Sequence, residues 1–220
     1  MRSRLCATKA VAALSVLALA CATAPILARQ LLGAPLDGRE PIAVFIADGD
    51  GGTGFRSSDR QLAQWAFDAW QRTAGDGLRL VNRPEPEAIV RLFWAGPNDG
   101  QYGEMRSVTV GGRRGAEVFV RPDMTALGDE ISARARRDPL LRDTIVYLTC
   151  LHELGHAFGL VHTHNFEDVM YFFGYGGDIA DYFGRYRARL RSRNDIASTS
   201  GLSASDERVI RSLYPPVPRS

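Results

Sequence analysis

Lysine is all but missing from this chain. Lys9 is the only one, and every other basic residue is arginine, a bias of the whole composition that leaves single arginines with little functional weight of their own. Cysteine is scarce too. Cys6 and Cys21 fall in the N-terminal stretch, and Cys150 has no evident mate. That excludes a disulfide framework, so the fold must rest on its core. An excess of one charge is also lacking. Of 27 basic and 25 acidic residues, three basic and no acidic ones lie in residues 1–20, which leaves 24 against 25 for the remainder, a formal charge of −1. Such a balance offers no electrostatic footprint for nucleic acid. Histidine is rare, with four residues in 220, and all four fall between His152 and His164.

What is present suits one globular domain. The chain is 220 residues long with 45% hydrophobic and 24% charged residues, enough for a single well-buried unit and short for two. Residues 1–20 differ from the rest. Arg2, Arg4 and Lys9 precede the apolar run Val11 to Ala20, and Ala18-Leu19-Ala20 offers a cleavage site before Cys21. The segment reads as an export signal. Acylation of Cys21 and an uncleaved anchor over Val11 to Ala28 are the alternatives, and each places the domain outside the cytoplasm, with membrane association through the N-terminus in the latter two. Residues 21–40 then form a short linker and 41–220 the folded domain, expected to be monomeric.

Periodicity predicts an α+β fold. Pro41 to Asp48 is a short apolar run read as a buried strand, and Ser57 to Gly75 reads as a helix with Leu62, Trp65, Ala66, Ala69 and Trp70 on one face, Ser58 as its N-cap and Gly75 as its stop. LRLVNR and AIVRLFWAG read as strands separated by PEPE, and Met105 to Asp123 as a hairpin turning at GGRRG. Ala126 to Arg137 forms a short polar helix, and Asp138-Pro139 caps a longer apolar one that runs to Gly159. The order predicts a mixed sheet with helices packed on it.

The long helix carries His152 and His156. At about 100° per residue, positions four apart lie roughly 40° from each other on one face, so both imidazoles can meet a single ion. Glu153 beside them is placed to take a proton from water bound to that ion. Gly159 lets the chain leave the helix in a conformation that strains other residues, which can bring His162 round as a third nitrogen ligand with a fourth position left open.

His152 to His162, HELGHAFGLVH, fits HExxHxxGxxH at every fixed position and resembles the metzincin zinc-protease signature. Met170, eight residues beyond His162, stands where the matrixin-like members have the methionine of the Met-turn, and LSASDERVIRSLY (Leu202 to Tyr214) resembles their C-terminal helix. The resemblance covers roughly Pro41 to Tyr214. It implies a metzincin-like zincin fold: a twisted mixed five-stranded sheet, an active-site helix above a cleft, and a small, mainly helical C-terminal subdomain. It also implies catalytic zinc held by His152, His156 and His162, Met170 beneath the metal, Glu153 as general base, and a protein or peptide substrate lying antiparallel to an edge strand at Arg106 to Val110. The implied activity is zinc-dependent endopeptidase; the alternative is a zinc-stabilised binding or sensor domain.

The chain departs from the matrixin pattern in several places. Phe172 follows Met170-Tyr171 where proline is usual, and Asp206 has Ser205 in place of a second acid. The inhibitory cysteine segment and the histidines of a second zinc are lacking. A longer insertion contains Gly177 to Arg193, in which Ile179, Tyr182, Phe183, Tyr186 and Leu190 share one arc flanked by arginines; it reads as a helix packed on the core, with a lid or an anionic-membrane surface as alternatives. Gly49 to Gly54 contains GxGxxG, read as a flexible loop over a dinucleotide site, with calcium on Asp48 and Asp50 a further option. Cys150 reads as a buried thiol and His164 as a solvent-facing loop residue, whereas Tyr171 either nears the oxyanion or packs.

Overall fold

Alternation of buried and half-buried side chains sets the sheet. In the computed structural model, which describes residues 33–97 and 102–216, β1 (Ile42–Ile46) and β3 (Val90–Trp94) both bury every second residue. β2 (Leu80–Asn82), β4 (Gly103–Val110) and β5 (Arg113–Val120) complete a five-stranded sheet in the order β2-β1-β3-β5-β4. β1 runs parallel to β2 and β3, β3 parallel to β5, and β4 antiparallel to β5. The architecture is therefore α+β with a mixed sheet. The export signal and the start of the linker lie outside the described residues. Among the described residues no helix is long and apolar enough to cross a membrane.

Among the described residues five α-helices accompany the sheet: α1 (Asp59–Ala74), α2 (Asp129–Arg137), α3 (Pro139–Ala157), α4 (Ile179–Arg187) and α5 (Ala204–Leu213). α3 starts as its sequence predicts, with Asp138 accepting from the backbone N–H of Leu140 and Leu141 ahead of Pro139. It lies across β4 and β5 and against α1. There the buried Trp70 indole N–H donates to the Leu151 carbonyl at 2.9 Å, so the ring fills core volume without stranding its polar atom. α4 packs by Tyr182, Phe183 and Tyr186, with Leu190 just beyond it also buried. The insertion is thus a helix seated on the core, not a raised lid.

Several boundaries differ from the sequence reading: the helix read from Ala126 begins at Asp129 and the strand read from Met105 begins at Gly103, and three more differ for a local reason. The hairpin turns on Gly111-Gly112 alone, with φ of 56° and 76°; two left-handed residues match the twist of the flanking strands, and Arg113 to Gly115 join β5. Ser58 makes no capping bond because its backbone is already helical, and the Asp59 carboxylate accepts from Arg56 N–H instead. α3 stops at Ala157, two residues short of Gly159.

The opposite face of the sheet is half-covered by its own rings. Phe45, Phe93 and Phe119 form a row with centroids 6.4 and 5.6 Å apart, and the Arg106 guanidinium lies 4.5 Å above Phe119. Under the helices, Arg142 of α3 grips the fully buried Asp59 of α1 through both terminal nitrogens and donates to Gly54 O at 3.2 Å. Replacing Arg142 with methionine strands that carboxylate, and unfolding in urea is expected to show a loss of about 3–5 kcal/mol. Pairing the change with Asp59→Leu is expected to recover most of it.

Candidate metal centre

One turn of α3 separates His152 from His156, and the chain's return brings His162 to both. Its Nε2 lies 3.2 Å from that of His152 and 3.0 Å from that of His156. The other ring nitrogens of the helical pair are spoken for: His152 Nδ1 donates to the Val169 carbonyl at 2.6 Å and His156 Nδ1 to the Leu160 carbonyl at 3.0 Å. With the protons held on Nδ1, the Nε2 lone pairs face the common centre. Burial pushes His152 down to about 3 and His156 to about 4, and lowers His162 as well. All three rings are consequently neutral at pH 7 and able to donate to a cation without first losing a proton. His152, His156 and His162 form the group of described residues that can hold a metal ion.

The return depends on Gly159. Its φ is 103°, and a Cβ there would come within 2.9 Å of Pro35 N and 3.0 Å of the Ala34 carbonyl carbon. From Leu160 the chain runs out to His162, then doubles back so that Thr163 N–H donates to Met170 O at 2.9 Å. Met170 is fully buried against α3. A Cβ on Gly155 would lie 2.4 Å from its sulfur, so a bare backbone at that point lets the methionine in beneath the histidines. Asp206, at the start of α5, fixes the segment from below: its Oδ2 accepts from Val169 N–H at 2.8 Å and Ser203 N–H at 2.9 Å. Val169 thus links Asp206 to His152, through the N–H on one side of its Cα and the carbonyl on the other.

Glu153 is buried on the same helix, and no chain partner takes its carboxylate among the described residues. Burial, and then the charge of Glu104, push its carboxyl up to about 8. A carboxylate so placed is a stronger base than an exposed one. It lies against β4, where a Cβ on Gly103 would fall 2.4 Å from Glu153 Oε1; the absence of a side chain at Gly103 leaves the carboxylate its room. Nothing in the local sequence pattern marks Gly103 for this role.

Other residues fall outside the cluster. His164 stacks on Tyr175 at 3.7 Å, and Cys150 is a buried free thiol. Tyr171 packs, with its hydroxyl donating to Gly176 O at 2.9 Å. Asp48 faces Arg60 at 3.3 Å, while Asp50 accepts from Gly52 N–H in a short turn. No protein-family model matches this chain, and no curated protein matches it.

Through Val169, Asp206 controls the orientation of one ligand ring. Asp206→Ala is expected to weaken divalent-cation binding about tenfold, the effect of losing an outer partner of a ligating histidine, as read by competition against a chelating dye.

Proposed function

We propose that this chain is a zinc-dependent endopeptidase of the matrixin-like metzincin type, acting on exported or extracellular proteins. The observation that carries the reading is the convergence of three neutral imidazoles, each aimed by Nε2, with a buried carboxylate one residue from the first of them that has no hydrogen-bond partner among the described residues. Ring nitrogens bound to zinc at about 2.0–2.1 Å and tetrahedral angles stand about 3.3 Å apart, close to the 3.0 and 3.2 Å of two of the pairs here. The donor set therefore fits, and His152, His156 and His162 would hold the ion. When bound, zinc supplies Lewis-acid polarisation of a carbonyl and acidification of water.

The chain's own groups do the rest. Glu153 accepts the proton of the water that attacks the scissile carbonyl and hands it to the departing amine. Burial alone favours the protonated form of Glu153 at pH 7; a cation held by the three imidazoles would favour the ionised carboxylate, the form that accepts the proton. β4 is one of the two edge strands of the sheet, and its first residue, Gly103, touches Glu153. An extended peptide added antiparallel to that edge would run past the carboxylate, held by backbone hydrogen bonds that read no particular side chain. The resemblance of HELGHAFGLVH and Met170 to the family supports the same reading, and the N-terminal apolar segment supports a place outside the cytoplasm.

Cleavage of casein or of a mixed peptide library tests the proposal. Activity is expected to vanish with chelator, to return with zinc, and to fall about 10²- to 10⁴-fold in Glu153→Gln while zinc stays stoichiometrically bound. Zinc-replete protein that cuts no peptide would refute the assignment. Gly103→Ala, which crowds the carboxylate and leaves the three ligands alone, is expected to lower kcat with little change in zinc content.

A further inference from the structure

Two of the three clustered histidines are aimed by backbone carbonyls and the third is not. His162 makes its hydrogen-bond contacts through Nε2 alone among the described residues, and it sits in an exposed loop instead of a helix. Its ring is held another way. Phe172 stacks on it, with centroids 4.7 Å apart and planes 24° from parallel. Phe172 is in turn met edge-on by Tyr175 at 5.3 Å and 89°. Tyr175 stacks on His164 at 3.7 Å.

The backbone explains why these rings meet. Thr163 bridges to Tyr171, and Phe172 N–H donates to Thr163 O at 3.4 Å. His162 and His164 flank Thr163, and each finds a ring on the facing segment. The turn at Phe173–Tyr175 closes with Tyr175 N–H donating to Phe172 O at 3.0 Å. Phe172 and Tyr175 are 43% and 49% exposed, two of the few large apolar residues left open to solvent. Burial alone does not account for placing an aromatic pair there, whereas ring-on-ring contact does.

We propose that Phe172, backed by Tyr175, is a positioning residue that orients His162 as the third metal ligand, doing by aromatic stacking what Val169 and Leu160 do for the other two by hydrogen bonding. The inference rests on the metal-centre reading. It concerns loss of ring freedom: an imidazole on a loop samples several orientations, and a stacked one enters the site already aligned.

The experiment measures zinc affinity by dye competition, together with the visible spectrum of the cobalt-substituted protein, for the wild type and for Phe172→Ala, Phe172→Leu and Phe172→Tyr. A stack of this kind corresponds to a roughly two- to tenfold change in affinity. Expected are a loss of that size with an altered cobalt spectrum in Phe172→Ala, a similar loss in Phe172→Leu, and recovery in Phe172→Tyr, which keeps the ring. Thermal unfolding of the metal-free proteins identifies any variant whose fold has changed, and Phe172→Tyr, the mildest change, keeps the comparison informative in that event. Wild-type affinity and spectrum in Phe172→Ala would overturn the inference and leave the metal centre standing. Recovery in leucine equal to that in tyrosine would overturn it too, since apolar cover would then suffice. A wild-type protein that binds no zinc would overturn both readings.

Discussion

The backbone of Val169 is the point on which the rest of the site depends. Its carbonyl accepts from His152 and its N–H donates to Asp206, so the two peptide groups flanking one Cα tie the long helix α3 to the start of α5. Asp206 also accepts from Ser203 N–H as part of the capping box of α5, and Ser203 Oγ donates to Asp168 at 2.7 Å. The same atoms that begin a helix therefore hold the strip of chain beneath the histidines. Tyr182 of the inserted helix adds its hydroxyl to the Asp168 carbonyl at 3.1 Å. The insertion acts as a strut under the site, which is consistent with its buried aromatic face.

A second constraint comes from close approach. Three glycines let separate pieces of the site touch: Gly159 lets the chain turn under residues 34–35, Gly155 admits the Met170 sulfur, and Gly103 leaves space for the Glu153 carboxylate. Only the first is a matter of backbone conformation, with its positive φ. The other two matter because any side chain would fill volume already occupied. Phe172 lies flat on His162, and Asp206 Oδ2 takes two backbone donors, Val169 N–H and Ser203 N–H.

Much of the fold was legible because its signals are local. The short apolar runs IAVFI and VRLFW, the Asp138-Pro139 start and the stop at Gly75 all act within a few residues and appear in the structure where the sequence places them. So does the pairing of His152 with His156, since helical spacing alone puts them on one face. The end of α3, the cap of α1 and the width of the β4–β5 turn were less legible. Each depends on which of several competing hydrogen bonds the surrounding chain permits. The burial of Tyr171 and the docking of α4 were open alternatives that packing resolved.

By itself the sequence determined the periods of its strands and helices, the one-sided placement of two imidazoles and an adjacent carboxylate, and the glycine at which the chain could turn back. Tertiary structure decided that His162 closes the cluster, that Val169 and Leu160 aim its partners, that Gly103 faces Glu153, and that Asp59 and Arg142 meet across 83 residues. The division follows from range. Backbone geometry and side-chain period are fixed by neighbours along the chain, whereas a contact between distant residues exists only once packing has set the distance and angle between the elements that carry them.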